Sequence, residues 1–216
     1  MVKVVQEGSE QPFYSRTGIV SVVLTKTVFE ILGEPVTWAE LAGFVTGIAC
    51  VALAVAQRIE TFPIGIANNL FFIVLFADAR LYADMALQVV YIALGVMGWW
   101  VWWRGTHGEL AVSRASMQLL AGTTVAVIAA TLILVPILRA AHGAAPGWDA
   151  LTTSMSLGAQ LLLNLKRLET WYVWIAVDVI YVPLYFSRDL NLTALVYMVF
   201  LALCIQGWRE WRVVTV

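Results

Sequence analysis

The chain has 216 residues, 61% hydrophobic and 12% charged, with a net charge of −1 and a mean hydropathy of +0.83. A soluble domain of this length carries about 25% charged residues, so half the expected charge is missing and a membrane is the expected solvent. The near-neutral balance also excludes a strongly basic nucleic-acid binder, and no nucleic-acid partner is expected.

The opening VKVVQEGSEQPFYSRTG mixes both charge signs and lacks the short apolar run and small-residue cleavage site of a signal peptide. Residues 18–33 are more apolar but carry Lys26 and Glu30. They are expected to form an extra N-terminal helix, spanning or lying in the interface and packed peripherally, within an N-terminal unit 1–36. Seven apolar runs follow at about 38–56, 63–77, 83–103, 115–138, 150–165, 171–186 and 191–208. Each is close to the roughly 20 residues a bilayer needs, the second and sixth being short. Cys50 and Cys204 lie inside runs without a cluster around them and read as small buried hydrophobes. His107 and His142 are isolated, and the spans carry no nucleophile, metal set or base pair at reactive spacing. Neither an enzyme nor a cofactor or metal site is expected.

Arg58, Arg104, Arg114, Lys166, Arg167, Arg209 and Arg212 fall at one end of the seven-span core; Arg80, Arg139 and Arg188 fall at the other. The positive-inside rule then puts the C-terminus in the cytoplasm.

Sliding the chain against itself gives the strongest signal. RIETFPIGIANNLFFIVLFADARLYAD from Arg58 aligns with RLETWYVWIAVDVIYVPLYFSRDLNLT from Arg167 at an offset of 109, without a gap as far as GWWVWW and GWREWR. About a dozen of 46 positions agree, among them Arg58/Arg167, Glu60/Glu169, Thr61/Thr170, Gly98/Gly207, Trp99/Trp208 and Trp102/Trp211. An offset of four spans returns the chain to the same side, so the copies run parallel. The predicted fold is an all-α integral membrane bundle of 3+1+3 helices: a first repeat 37–108, a linker helix 109–145 and a second repeat 146–216. Repeats of this kind place a solute site near the midplane between them.

A carboxylate in mid-bilayer costs about 2.5–3.5 kcal/mol on insertion scales and calls for a partner or a function. Trp171, Trp174 and Asp178 recur at i, i+3 and i+7, one helix face bearing two indoles and an anion. That face suits a flat, cationic or hydrogen-bonding aromatic solute. Asp178 corresponds to Asn69, Trp174 to Gly65, Trp171 to Phe62, and Gln88 to Tyr197. Asp178 and Asn69 either meet a solute from opposite sides or bond to each other as interhelical glue. Asn68 and Gln160 are further cavity candidates, whereas Asn164, beside Lys166 and Arg167, reads as interfacial. The cluster Trp99, Trp100, Trp102 and Trp103 beside Arg104 reads as an aromatic belt.

With these residues in view, FPIGIANN, LYADMALQVVYIALGVMGWW and KRLETWYVWIAVDV resemble the Pnu vitamin transporters over roughly residues 38–212. The most specific element is the Trp-x-x-Trp-x-x-x-Asn/Asp signature of the nicotinamide riboside members, here Trp171, Trp174 and Asp178. Two positions depart from the usual pattern: Thr170 stands where Asn is common, and Phe62 where Trp is common. The resemblance implies a full-length SWEET-like bundle in the bacterial plasma (inner) membrane, surrounded by lipid and homo-oligomeric. It also implies a uniporter for nicotinamide riboside, a vitamin B3 form and NAD precursor, trapped inside by a cytoplasmic nicotinamide riboside kinase. The ring would stack near Trp171 and Trp174 with Asp178 favouring its charge, and Asn69, Gln88 and Asn68 would read the ribose. Gln160 and Tyr197 complete the expected site. A thiamine or riboflavin carrier of the same family, or a SWEET-like receptor that binds without translocating, are the alternatives.

Overall fold

The computed structural model describes residues 27–31, 34–78, 82–105, 110–140, 145–188 and 190–215. Strands β1 (Thr27–Ile31) and β2 (Glu34–Thr37) pair antiparallel, with Phe29 opposite Val36 and Ile31 opposite Glu34. Over 27–31 the chain is thus strand where a helix through 18–33 is expected. Thr27, Val28, Phe29 and Ile31 are β-branched or aromatic residues that suit a pleat better than a helix. Residues 18–26 and 32–33 lie outside the described residues. Among the described residues the fold is helical apart from this hairpin and one isolated bridge between Ser113 and Arg167.

Seven helices follow: α1 (Trp38–Val55), α2 (Thr61–Asp78), α3 (Tyr82–Gly105), α4 (Met117–Ala140), α5 (Pro146–Asn164), α6 (Thr170–Phe186) and α7 (Asn191–Val214). They coincide with the seven apolar runs. By length and composition α3 from Met85, α4 and α7 suffice to cross a membrane, and α1, α2 and α6 hold shorter apolar segments. No residue of α4 is buried, and Val125, Ile128, Leu132 and Ile133 stand exposed, as on a helix that faces lipid. By contrast α5 buries Thr152, Ser154, Ser156 and Gly158 among α3, α4 and α6. Its small residues allow close approach. The Thr152 and Ser154 hydroxyls donate to the carbonyls of Trp148 and Ala150, both at 2.8 Å, so neither is left unpaired.

Adding 109 to the bounds of α3 gives those of α7, and the α1/α5 and α2/α6 pairs match to within one residue. The turns match in detail. Gln57 and Lys166 both take positive φ, 55° and 50°, a left-handed conformation that glycine more often supplies at a helix end. Arg58 N–H donates to Leu53 at 2.8 Å and Gln57 N–H to Ala54 at 3.0 Å; Arg167 N–H donates to Leu162 and Lys166 N–H to Leu163, both at 2.9 Å. Each set closes the preceding helix with a six-to-one and a five-to-two bond. Thr61 Oγ1 then donates to Cys50 O at 2.9 Å, and Thr170 Oγ1 to Ala159 O at 2.8 Å, stapling the second helix of each half to the first.

The halves are joined through their basic ends. Trp102 Nε1 donates to Asn164 O at 3.1 Å, and Trp211 Nε1 donates to Val55 O at 3.0 Å. Each tryptophan thus caps the end of the other half's first helix, with α1 packed on α7 and α3 on α5. The two indoles meet at 6.2 Å between ring centroids. Phe62 stands edge-on to Trp102 at 5.0 Å and Trp171 edge-on to Trp211 at 5.3 Å. Gly98 and Gly207 make room for those rings: a Cβ on Gly207 would come within 2.6 Å of Trp171, and one on Gly98 would strike Phe62 and Asn164. Of the four tryptophans read as a belt, Trp99, Trp100 and Trp103 are exposed as a belt requires, but Trp102 is core at 2% exposure.

The extended segment around Ser113 treats the two turns unequally, forming a single parallel bridge to Arg167. Ser113 N–H donates to Lys166 O at 3.1 Å, Leu168 N–H to Ser113 O at 3.0 Å and Ala115 N–H to a Glu169 carboxylate oxygen at 2.8 Å; Arg167 donates to the Ser113 hydroxyl. In the first half Arg58 and Glu60 pair with each other at 2.7 Å in the open. That hydrogen bond holds the Glu60 carboxyl down to about 2.

Gly207→Ala is expected to lower the thermal stability of the detergent-solubilised protein by about 1–3 kcal/mol, as overpacking does. Gly122→Ala, where a Cβ meets nothing within 4 Å, is the control and should leave it unchanged or slightly higher. Equal melting temperatures for both would refute the notch at Gly207.

Candidate functional site

A cavity of about 260 Å³ lies between the halves, near the lower end of the roughly 300–1,000 Å³ of small-molecule sites. From the first half it takes Cys50, Thr61, Gly65, Asn68, Asn69 and Tyr91; from the second Gln160, Trp171, Trp174, Asp178, Tyr197 and Cys204. Seven of the eight residues expected from sequence therefore line one space. Gln88 does not: it lies on α3 three residues before Tyr91, which occupies the position expected of it.

Trp171 and Asp178 are buried at 1% and 3% exposure. Trp171 is wedged into the Gly207 notch, and its Nε1–H has no partner among the described residues. Asp178 faces the Cys204 thiol, and its Oδ2 has no partner. A buried polar atom without a partner is costly unless a ligand or water meets it. Asn69 lines the same cavity, and no bond joins it to Asp178 among the described residues. Asn68 is tied to α1 through the Thr46 hydroxyl. Tyr197, which lines the cavity, packs against Tyr181 at 4.9 Å and Tyr185 at 5.0 Å.

Asn164 is not interfacial. It is fully buried, donating to Leu94 O at 2.7 Å and accepting from Gln160 Nε2 at 3.0 Å. Its closeness to Lys166 in sequence concealed this, because α5 ends inside the bundle rather than at its surface. Tyr91 and Phe200 were not expected here, and Cys50 and Cys204, expected only as small buried hydrophobes, line the cavity too. The offset of 109 pairs Tyr91 with Phe200, and following that pair on from Gln88/Tyr197 would have found both.

Apolar helices around a central cavity of indoles, amides and one carboxylate define a solute-binding membrane protein. The model of the nicotinamide mononucleotide transporter family matches residues 37–213, and the chain belongs to this family, whose members are transporters and not enzymes. The nicotinamide riboside transporter PnuC of Escherichia coli (strain K12) is 26% identical over 207 residues, covering 83% of this chain and 87% of that protein. The riboflavin/roseoflavin transporter RibM of Streptomyces davaonensis is 26% identical over 197 residues, covering 87% and 91%. A crystal structure of the vitamin B3 transporter PnuC superposes with a TM-score of 0.67 at 21% identity, over 92% of this chain and 87% of that one. The Pnu resemblance read from the signature residues is thereby shown.

Gly65, the counterpart of Trp174 at the offset of 109, lines the same cavity, and a Cβ there would meet only Cys50 Sγ at 3.2 Å. Gly65→Leu should therefore fill the cavity while the fold survives. The expected result is solute binding weakened at least tenfold, by calorimetry, with the melting temperature held or raised. Unchanged binding would show that the solute does not use this space.

Proposed function

We propose that the protein is a uniporter that carries nicotinamide riboside into the cell by facilitated diffusion. The observation that carries this reading is the face Trp171–Trp174–Asp178 lining the cavity opposite Asn69, in a family whose relatives include nicotinamide riboside transporters. The pyridinium ring stacks beside Trp174, and the free Asp178 oxygen and Trp171 N–H supply an acceptor and a donor. Asn69 and Asn68 read the ribose from the other wall, with Gln160 and Tyr197 beside the ring; Gln88 serves at the approach to the cavity.

In this reading the chain is a 3+1+3 parallel repeat of the SWEET type, with units 37–108, 109–145 and 146–216 after an N-terminal unit 1–36. It crosses the bacterial inner membrane seven times with its C-terminus in the cytoplasm, where the arginines gather. One three-helix unit rocks against the other, and a cytoplasmic nicotinamide riboside kinase traps the product. The protein works as a homo-oligomer in lipid. RibM among the relatives supports a riboflavin carrier as the second reading. A cavity of about 260 Å³ favours one ring and a ribose over the three fused rings of a flavin. Thiamine, also a cationic aromatic, is the third solute to test.

Purified protein in liposomes should take up labelled nicotinamide riboside saturably, to the external concentration and no further, whether or not a pH gradient is imposed. Trp174→Ala should weaken uptake about tenfold or more, since one ring-stacking contact is worth roughly 1–3 kcal/mol, and Asp178→Ala should weaken it likewise. Riboflavin or thiamine uptake in its place would overturn the substrate. Saturable binding without lumenal accumulation would establish a receptor.

A further inference from the structure

The bond between Gln160 and Asn164 sets the polarity of one cavity wall. Asn164 is fully buried at the end of α5 and meets Leu94 O at 2.7 Å. A main-chain carbonyl can only accept, so the group that Asn164 turns to it is the amide nitrogen. Asn164 Oδ1 is then left on the other side, and an amide oxygen can only accept as well. Gln160 meets it with Nε2 at 3.0 Å. Of the Gln160 amide this leaves one N–H and Oε1, neither with a partner among the described residues, on a side chain that borders the cavity, and it fixes which end of the amide is the oxygen. Turning either amide over would set oxygen against oxygen, at Leu94 in one case and at Asn164 in the other.

The anchor of this chain is itself held. Trp102 Nε1 binds the main-chain oxygen of Asn164 at 3.1 Å, and Gly98 leaves the space that the Asn164 carboxamide occupies. In the first half the corresponding positions are Val51 and Val55, which can form no such relay. The locked amide therefore has no counterpart at the matching positions of the first half.

We infer that Asn164 is a positioning residue that locks Gln160 with its carbonyl oxygen towards the cavity, so that this wall holds a fixed acceptor for a solute hydroxyl or amide N–H. The inference rests on the transport reading for its solute and on the two amide bonds for its orientation.

Two experiments separate those supports. In proteoliposomes, uptake of nicotinamide riboside is competed with its 2′-, 3′- and 5′-deoxy forms and with its N,N-dimethyl carboxamide. One of these should compete about tenfold more weakly than the parent compound on the wild type, the usual order for a buried acceptor left unmet. On Gln160→Leu that analogue and the parent compound should compete equally, while the other analogues keep their wild-type ratios. If every analogue keeps its wild-type ratio on Gln160→Leu, Gln160 reads no donor and the inference fails. A purely structural role for Gln160 would weaken all of them alike.

The second experiment needs no solute. In glutamine-15N-labelled protein the side-chain amide of Gln160, assigned by its loss in Gln160→Leu, should exchange its hydrogens slowly. It should exchange at least tenfold faster in Asn164→Val, which installs the residue that the first half carries. Equal exchange in the two proteins overturns the lock. A wild-type protein that takes up no nicotinamide riboside sinks the transport reading and the solute selection with it, whereas exchange still decides the orientation.

Discussion

Two indole N–H groups hold the halves of this molecule together. Lipid tails are as apolar as leucine, so burial gives little drive for one helix to seek another in a membrane, and close packing and hydrogen bonds must do it. Trp102 and Trp211 each reach across to the last carbonyls of the opposite half's first helix. Those carbonyls belong to the group that every helix leaves unpaired at its end. One pair of contacts thus satisfies two helix ends and fixes α1 against α7 and α3 against α5. The glycine notches, the edge-on rings of Phe62 and Trp171, and the height at which the cavity begins all follow from it.

On this nearly symmetric frame the site is made by the exceptions. Where the first half has Gly65, Val51 and Asn69, the second has Trp174, Gln160 and Asp178. One wall is open at Gly65 and carries the amides of Asn68 and Asn69, and the other carries the indole, the carboxylate and the locked amide. A frame that places corresponding residues face to face can be given a chirality and a charge by changing a few side chains, without disturbing the turns that position them.

Much of this was legible in the sequence because a membrane makes spans long and apolar, and because identical Trp and Gly residues at a fixed spacing survive where apolar composition blurs everything else. The helices fall where the apolar runs do, and seven of eight expected residues share one cavity. What escaped notice depended on the third dimension. Trp102 is surrounded in sequence by exposed tryptophans and differs from them only by the direction it faces. Asn164 sits two residues from a lysine yet ends a helix inside the bundle. Gln88 and Tyr91 lie one turn apart on the same face, and only the depth of the cavity chooses between them. Residues 27–31 lacked the length of a span, and their β-branched run expressed itself in a hairpin instead.

The unequal treatment of the two turns has a mechanical meaning. The second half is clamped to the linker through Ser113 and Ala115, and behind it stands α4 with its lipid-facing surface. The first half's turn, where the Arg58 and Glu60 side chains pair with each other, shows no such tether to the linker among the described residues. In any motion of one against the other the second half is the stator, heavy and anchored, and the first is the moving part. Under the rocking proposed above, the wall with Trp174 and Asp178 belongs to the anchored half and the wall with Gly65 and Asn69 to the moving one.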